Sequence, residues 1–532
     1  MLEADYVIIG AGSAGCVLAN RLSEDPNVSV VLLEAGGKSD TLLVNMPVGS
    51  VKLMGNPDYD WMYLTEPDPS INGRQVLWIS GKMLGGGSAI NGTIYIRGSK
   101  TDYDGWAANG CTGWSWDEVL PYFKKAENYG GPDTGSDSMG HDGPLSVEPI
   151  RTPHEMTEAF VQACAETGLT RIEDYCAGDV DGVFHNYFSQ KSGRRSSTYE
   201  AYLKPIKGRR NLTVLTGVLA DKVLFDGDKR ATGVRYRDGN VVREVTAKRE
   251  VLVSAGAIHS PALLLRSGIG PADELRELGI DVVADAPEVG KNLQEHASVP
   301  QSRFVDVETL NTAATSMKLP LHFLQYLFMG TGPLTSPPVQ AIANTRSDPG
   351  MNHPNIKLSF GPVAVDSHTR QPHKRAGVTI FVNCSPPKSR GEIRLRSADP
   401  AVKPVVDHRL LGSPEDMATM IAAMKQCETV FEAPALAKHV TGRHLPEQPP
   451  KSDAEWEDYI RARAGIGFHP VSSCRMGGDA RSVVDPALKV RGVSGLRVID
   501  ASIMPDMPAA NTNAPTIMIG EKGADLIKNE RR

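Results

Sequence analysis

Apolar positions open the chain in an unbroken run from Tyr6 to Ile9, which predicts a strand buried on both faces. Closely spaced glycines follow, then an apolar helical run from Ala14 to Leu22 that Asp25-Pro26 stops. Val28 to Leu33 reads as a second, nearly continuous apolar strand, and burial on two faces belongs to a parallel sheet. From Gly36 to Gly98 the pattern loosens into loops. Two strands are predicted near Leu212–Val223 and Ala231–Tyr236, with polar turns such as Asp226-Gly227-Asp228. Glu250 to Ser254 is a further buried strand running into a helix. There Ser260 suits the N-cap, Pro261 the first helical position and Gly268 the stop.

From about residue 305 the texture changes. Alternation over Ile356–Phe360 and Gly377–Asn383 predicts an antiparallel sheet. Ser413-Pro414-Glu415-Asp416 heads a helix whose Met417, Met420, Ile421 and Met424 share one face, a stripe expected to fill the core. Leu496–Ile499 as strand and Pro515–Ile527 as helix return to the opening texture, so the last segment is expected to rejoin the first domain.

Composition narrows the picture. In 532 residues, Gly and Pro together supply about 17%, against roughly 12% in average usage; many tight turns follow, and a helical bundle is excluded. With 40% hydrophobic and 23% charged residues, the chain can bury a large core. The net charge is −6 with no long single-sign run, so no nucleic-acid partner is expected; Lys207, Arg209 and Arg210 form a lone basic turn. Seven scattered cysteines without a CxxC read as reduced thiols of a cytoplasmic protein. No zinc-ligand spacing occurs, His368 and His373 fall in a polar loop, and no metal site is expected. The N-terminus runs straight into a strand, which leaves no room for a signal peptide, and no apolar stretch reaches membrane-spanning length.

Two motifs carry chemistry. Gly10-Ala11-Gly12-Ser13-Ala14-Gly15 lies between strand and helix, with Glu34 ending the next strand, 19 residues beyond Gly15. The first glycine permits the tight turn, the second lets backbone approach a pyrophosphate, and the third lets the helix pack on the sheet. Glu34 is placed to accept from a ribose hydroxyl and would repel a 2′-phosphate. The motif by itself fits FAD or NAD equally. The second motif, Gly81-Lys82-Met83-Leu84-Gly85-Gly86-Gly87-Ser88-Ala89-Ile90-Asn91-Gly92, suits backbone pressed against a flat or anionic ligand.

Together these residues resemble the glucose–methanol–choline (GMC) flavoprotein oxidoreductases over almost the whole chain. The resemblance runs through residues 81–98, GAIHSPALLLRSGIG (256–270), SRGEIRL (389–395), GFHPVSSCRMG (467–477) and the segment 498–527. It implies an α/β fold: a Rossmann-like FAD-binding domain with an inserted α+β substrate domain built on an antiparallel sheet. Residues 1–155, 205–305 and 465–532 would form the discontinuous FAD-binding domain, and residues 156–204 and 306–464 the substrate-binding domain.

By the same resemblance, Gly10, Gly12, Ser13, Ala14, Gly15, Glu34 and Ala35 would hold the ADP part of FAD, with Ala220 meeting the adenine. Gly86, Ser88, Asn91 and Gly92 would line the diphosphate and isoalloxazine. Asp500 and Ala501 would meet the diphosphate–ribityl region, and Asn511 and Thr512 the pyrimidine side of the ring. Some relatives carry, just before the Asn91 position, a His bonded covalently to the flavin; here Ile90 stands there, so FAD is expected to be non-covalent. His469 matches the active-site histidine and Asn511 its partner. Removing hydride from an alcohol carbon toward flavin N5 requires that the hydroxyl proton also leave, and an imidazole can take it at neutral pH. The remaining histidines, including His259 and His296, are read as structural.

The expected activity is oxidation of a small neutral primary alcohol to an aldehyde, with O2 or a quinone-type acceptor taking the electrons. Alternatives remain a choline dehydrogenase, a nicotinamide-linked dehydrogenase, and a non-oxidative lyase or light-driven decarboxylase on the same fold. A hydrolase lacks its GxSxG elbow. Some choline-oxidising relatives place a Glu two residues after the His of Asn292-Leu293-Gln294-Glu295-His296, where this chain has Ser298. The stretch 330–345, with Leu334, Pro337, Pro338, Val339 and Ile342, is expected to line the substrate site without aromatic rings.

Overall fold

The computed structural model describes residues 2–133, 135–365 and 372–530. Strand Leu2–Ile9, buried on both faces from Tyr6 on, and strand Val30–Glu34, buried throughout, lie at the heart of a seven-stranded sheet. They run parallel, Ile9 opposite Leu33 on one side and Val253 on the other. Leu212–Thr216 extends the parallel part beyond Val30–Glu34, and Leu496–Val498 adds to the end of the strand Val241–Val253. The helices Ser13–Leu22 and Asn513–Glu530 pack against each other beside this sheet. Gly520 permits the crossing, because a Cβ there would stand 3.0 Å from Val17 Cβ. The last segment thus rejoins the first, as its texture predicts.

Leu212–Val223 is not one strand. The chain breaks at Gly217, whose φ is +74°. Leu212–Thr216 stays in the parallel sheet, while Val218–Phe225 turns to pair antiparallel with Ala231–Asp238. The helix after Val253 spans Gly256–Arg266 and starts four residues before Ser260. Ser260 Oγ instead accepts from Ala255 N at 3.0 Å and donates to Asp500 at 2.5 Å. Pro261 is therefore inside the helix, where it supplies no N–H to the Ala257 carbonyl. Ser473 Oγ donates to that carbonyl at 2.5 Å, which satisfies the orphaned acceptor.

A second sheet of seven strands is antiparallel throughout, as expected from the alternation. Its order is Val440–Leu445, Ala297–Val305, Gly377–Cys384, Ile356–Gly361, Ala341–Thr345 and Gly182–His185, with Gly465–Ile466 beside Ala297–Val305. Ala297–Val305 and Gly465–Ile466 thus sit in this sheet, although the sequence groups them with the first domain. The helix Pro414–Glu432 packs on it and is capped by Ser413 Oγ, which accepts from Glu415 N. Met417, Met420 and Met424 are buried there and Ile421 half-buried, so the methionine stripe is core.

The seven cysteines are buried and free. Among the described residues, no helix is long and apolar enough to cross a membrane. His368 lies outside the described residues, and His373 packs at tilted angles against Phe304 and His444, which also touch each other.

Candidate active site

One cavity of about 350 Å³ opens at the carboxyl ends of the parallel strands, between them and the segments 467–470 and 511–513. That is where ligands sit in open α/β sheets. Its wall includes Gly10, Gly12, Ser13, Ala14, Glu34, Ala35, Gly86, Asn91, Gly92, Ala220, Asp500, Ala501, Asn511, Thr512 and His469. Two candidates point elsewhere. Gly15 packs the helix onto the sheet, since a Cβ there would meet the Gly10 carbonyl at 1.9 Å. Ser88 is buried behind the loop, bonded to the Gly85 carbonyl and to Thr198 Oγ1.

The geometry suits a dinucleotide. Gly10 takes φ +94°, and no side chain caps the helix that begins at Ser13, so its first N–H groups and positive end face the cavity. Gly86 crosses Gly12 so closely that a Cβ would come within 2.8 Å of Gly12 Cα. The Glu34 carboxylate is fixed by Ala11 N and Gly36 N, each at 2.8 Å, which leaves further lone pairs toward the cavity. Asp500 accepts from Gly256 N and Ser502 N, each at 2.8 Å, and so holds two turns of the wall together. Ile90 is buried in a small cluster with Val44, Leu53, Met83 and Ala89, and offers no nucleophile.

His469 and Asn511 come from separate loops and meet at the cavity. Asn511 Nδ2 lies 2.9 Å from His469 Nε2. Burial, with a smaller push from the nearby Lys357 charge, lowers the His469 pKa to about 3, so the imidazole is neutral at physiological pH. Its backbone is pinned by Glu295, whose carboxylate accepts from His469 N at 2.8 Å and from His296 N at 2.8 Å. Burial raises Glu295 to about 8 against the lowering effect of those N–H groups. His296 Nδ1 is 3.0 Å from His469 Nδ1, and His296 Nε2 is 2.9 Å from Ser385 Oγ.

Sequence reasoning missed Glu295, His296 and Lys357. Lys357 is the one signal that was available: a lysine among the apolar residues of the strand Ile356–Gly361. The expected lining from 330–345 is also corrected. Ala341–Thr345 is paired on both sides within the antiparallel sheet, and Leu334 packs with Met46 and Tyr326. The apolar wall comes instead from Trp61, Tyr63, Trp78, Ile79 and Phe468. His259 joins it, with Nδ1 2.6 Å from the Tyr63 hydroxyl and its ring centroid 4.1 Å from that of Trp61.

Comparison with known proteins agrees with this architecture. Residues 4–298 and 387–520 match the N-terminal and C-terminal profiles of the GMC oxidoreductases. The chain is 41% identical over 528 residues to an alcohol dehydrogenase [acceptor] of Pseudomonas putida, covering 98% of this chain and 95% of that one. It is also 41% identical to an oxygen-dependent choline dehydrogenase of Burkholderia multivorans, covering 99% of this chain and 94% of that one. Among solved structures, pyridoxine 4-oxidase from Mesorbium loti superposes with a TM-score of 0.90 at 31% identity, covering 99% of each chain.

Proposed function

Because the chain belongs to the GMC oxidoreductase family, we infer that it is an FAD-dependent enzyme that oxidises a small, neutral primary alcohol to its aldehyde. The observation that carries this reading is the meeting of His469 Nε2 and Asn511 Nδ2 on the cavity wall. An alcohol oxygen placed between them donates its proton to the imidazole and accepts from the amide, which fixes the carbinol carbon in one orientation. A neutral His469 is ready to accept that proton without first losing one. When bound, FAD supplies the two-electron acceptor for the hydride. The apolar wall of Trp61, Tyr63, Trp78 and Phe468 keeps water from the reacting centre.

The residues that would hold FAD are the uncapped helix start at Gly12–Ala14, the Gly86–Gly92 loop, Glu34, and Asp500 with Ala501. With Ile90 in that loop, attachment is non-covalent. FAD-binding residues 1–155, 205–305 and 465–532 and substrate-binding residues 156–204 and 306–464 are part of the same reading, with the exception of the two strands noted above.

The test is anaerobic mixing of the yellow protein with a panel of alcohols, followed by air. Bleaching by neutral primary alcohols is expected. A flavin that stays oxidised with every alcohol in the panel would refute the activity. The rate at which air restores the colour separates O2 from a quinone-type compound as the electron acceptor.

A further inference from the structure

Lys357 Nζ donates to Asn511 Oδ1 at 2.9 Å from the second position of the strand Ile356–Gly361 in the antiparallel sheet. The residue is 3% exposed, and among the described residues no carboxylate pairs with it. Burying a cation without a counter-charge works against stability, so the fold itself gains nothing from this lysine. Its position behind Asn511 gives it another consequence.

The hydrogen bonds Lys357–Asn511–His469–His296–Ser385 form one chain. Such a chain has two self-consistent polarities, because an amide presents a donor on one side and an acceptor on the other, and a neutral imidazole does the same. In one polarity Asn511 Nδ2 donates to His469 Nε2, His469 Nδ1–H donates to His296, and His296 Nε2–H donates to Ser385. In the other the amide is flipped, His469 Nε2 carries the hydrogen, and every bond reverses. Only the first leaves a lone pair on Nε2, where an alcohol proton has to arrive. Nothing among the two histidines and the serine prefers one direction. A lysine ammonium has three donors and no acceptor, and even the neutral amine keeps two donors.

We propose that Lys357 is a positioning residue: by holding Asn511 Oδ1 it selects the polarity in which His469 Nε2 is the unprotonated, proton-accepting nitrogen. The role rests on the alcohol-oxidising reading for its effect on rate, but not for its effect on the tautomer. Burial lowers the Lys357 pKa to about 7; the neutral amine still donates but also carries an acceptor lone pair, so the selection is strongest below pH 7, where the ammonium cannot accept from a flipped amide.

The test uses FAD-loaded Lys357→Met, which fills the space without a donor, and Lys357→Gln, which restores an N–H without charge. Two quantities are read: the rate constant of anaerobic flavin reduction by the best alcohol, and the nitrogen NMR signals of 15N-histidine-labelled protein. The His469 signals are assigned by their loss in His469→Gln. Lys357→Met is expected to slow reduction about tenfold or more, the bias that one charge-assisted hydrogen bond supplies. Its FAD content and melting temperature should not fall, and His469 should lose its single tautomer. Lys357→Gln should recover a clear part of both. A Lys357→Met rate within about threefold of the parent overturns the proposal. So does a His469 that keeps one tautomer in Lys357→Met, a Lys357→Gln as impaired as Lys357→Met, or a parent protein protonated at Nε2. If no alcohol reduces the parent flavin, the activity reading fails, and the nitrogen spectra still decide the role of Lys357.

Discussion

His469 Nε2 and Asn511 Nδ2 face one another at 2.9 Å across 42 residues of chain, and Glu295 holds the backbone of the first of them from a third segment. The pair therefore works as an assembled unit with unequal parts. His469→Ala removes the proton acceptor and is expected to lower the anaerobic flavin reduction rate by about 10²–10⁴-fold while FAD still binds. Asn511→Ala removes only the donor that orients the oxygen and should lose less. Stopped-flow reduction of the two variants checks both; a His469→Ala rate within about threefold of the parent would remove His469 from the chemistry.

FAD should leave the protein intact. Ile90 occupies the place from which a histidine would attach to the ring, and its neighbours in the cluster, Val44, Leu53, Met83 and Ala89, offer no nucleophile. Acid precipitation is expected to put all of the yellow colour in the supernatant. Colour left in the pellet would show a covalent bond from some other side chain.

The parts of the fold legible in the sequence are those in which one segment carries its own signal. The run Tyr6–Ile9, the glycine turn after it and the Met417–Met420–Met424 stripe are set by local periodicity and burial, and each is where the pattern places it. The break at Gly217 was hidden because Leu212–Val223 is equally apolar on both sides of it. Ser260 looked like a cap because its real partner, Asp500, is 240 residues away. The site divides in the same way. His469 and Asn511 stand in recognisable motifs, whereas Lys357 acquires meaning only when a strand of the second sheet brings it to Asn511, 154 residues on. The expected lining from 330–345 is absent from the cavity wall because the face on which a strand or loop presents each side chain, and not its apolar character, decides which residues reach the cavity.

Acid should destabilise the protein through its buried histidines. Burial first, with nearby positive charges second, lowers His259 and His469 to about 3 and His296 well below the ordinary value near 6.5. Between pH 6 and 5 the unfolded chain takes up a proton at each of these three imidazoles and the folded chain does not, so stability falls as pH falls. Glu295, raised to about 8 by burial, acts oppositely, since the folded chain holds its proton while the unfolded chain has lost it. Lys357, lowered to about 7, is protonated in both states in this window and contributes no slope. Taken alone, these four groups leave a difference of two protons and a slope approaching about 2.7 kcal/mol per pH unit. Burial also lowers His154, which adds to the slope, and raises Glu34, Asp102 and Asp500, which oppose it. Urea midpoints of the FAD-loaded protein at pH 7, 6 and 5 should drop steadily; equal midpoints would mean that the three histidines are not buried neutral.

Choline should be a poor substrate, although a choline dehydrogenase is among the similar chains. A quaternary ammonium needs a carboxylate or an open aromatic face once it is out of water. Ser298 provides no charge on the strand paired with Asn383 and Gly465. The carboxylates on the cavity wall, Glu34 and Asp500, are taken up by FAD in the reading above and are not part of the His469–Asn511 pair. The Trp61 ring has the Lys82 ammonium 5.2 Å from its centroid, and the lysine behind Asn511 adds a further positive charge beside the reacting centre. Charge at the site therefore opposes a cation and favours the alkoxide that forms as a neutral alcohol loses its proton. Steady-state kinetics with choline, benzyl-type alcohols and linear primary alcohols should place choline about tenfold or more below the best neutral alcohol in kcat/KM, a difference of about 1.4 kcal/mol. If choline had the highest kcat/KM, a carboxylate or aromatic face other than those named here would have to hold the ammonium, and the neutral-alcohol assignment would be wrong.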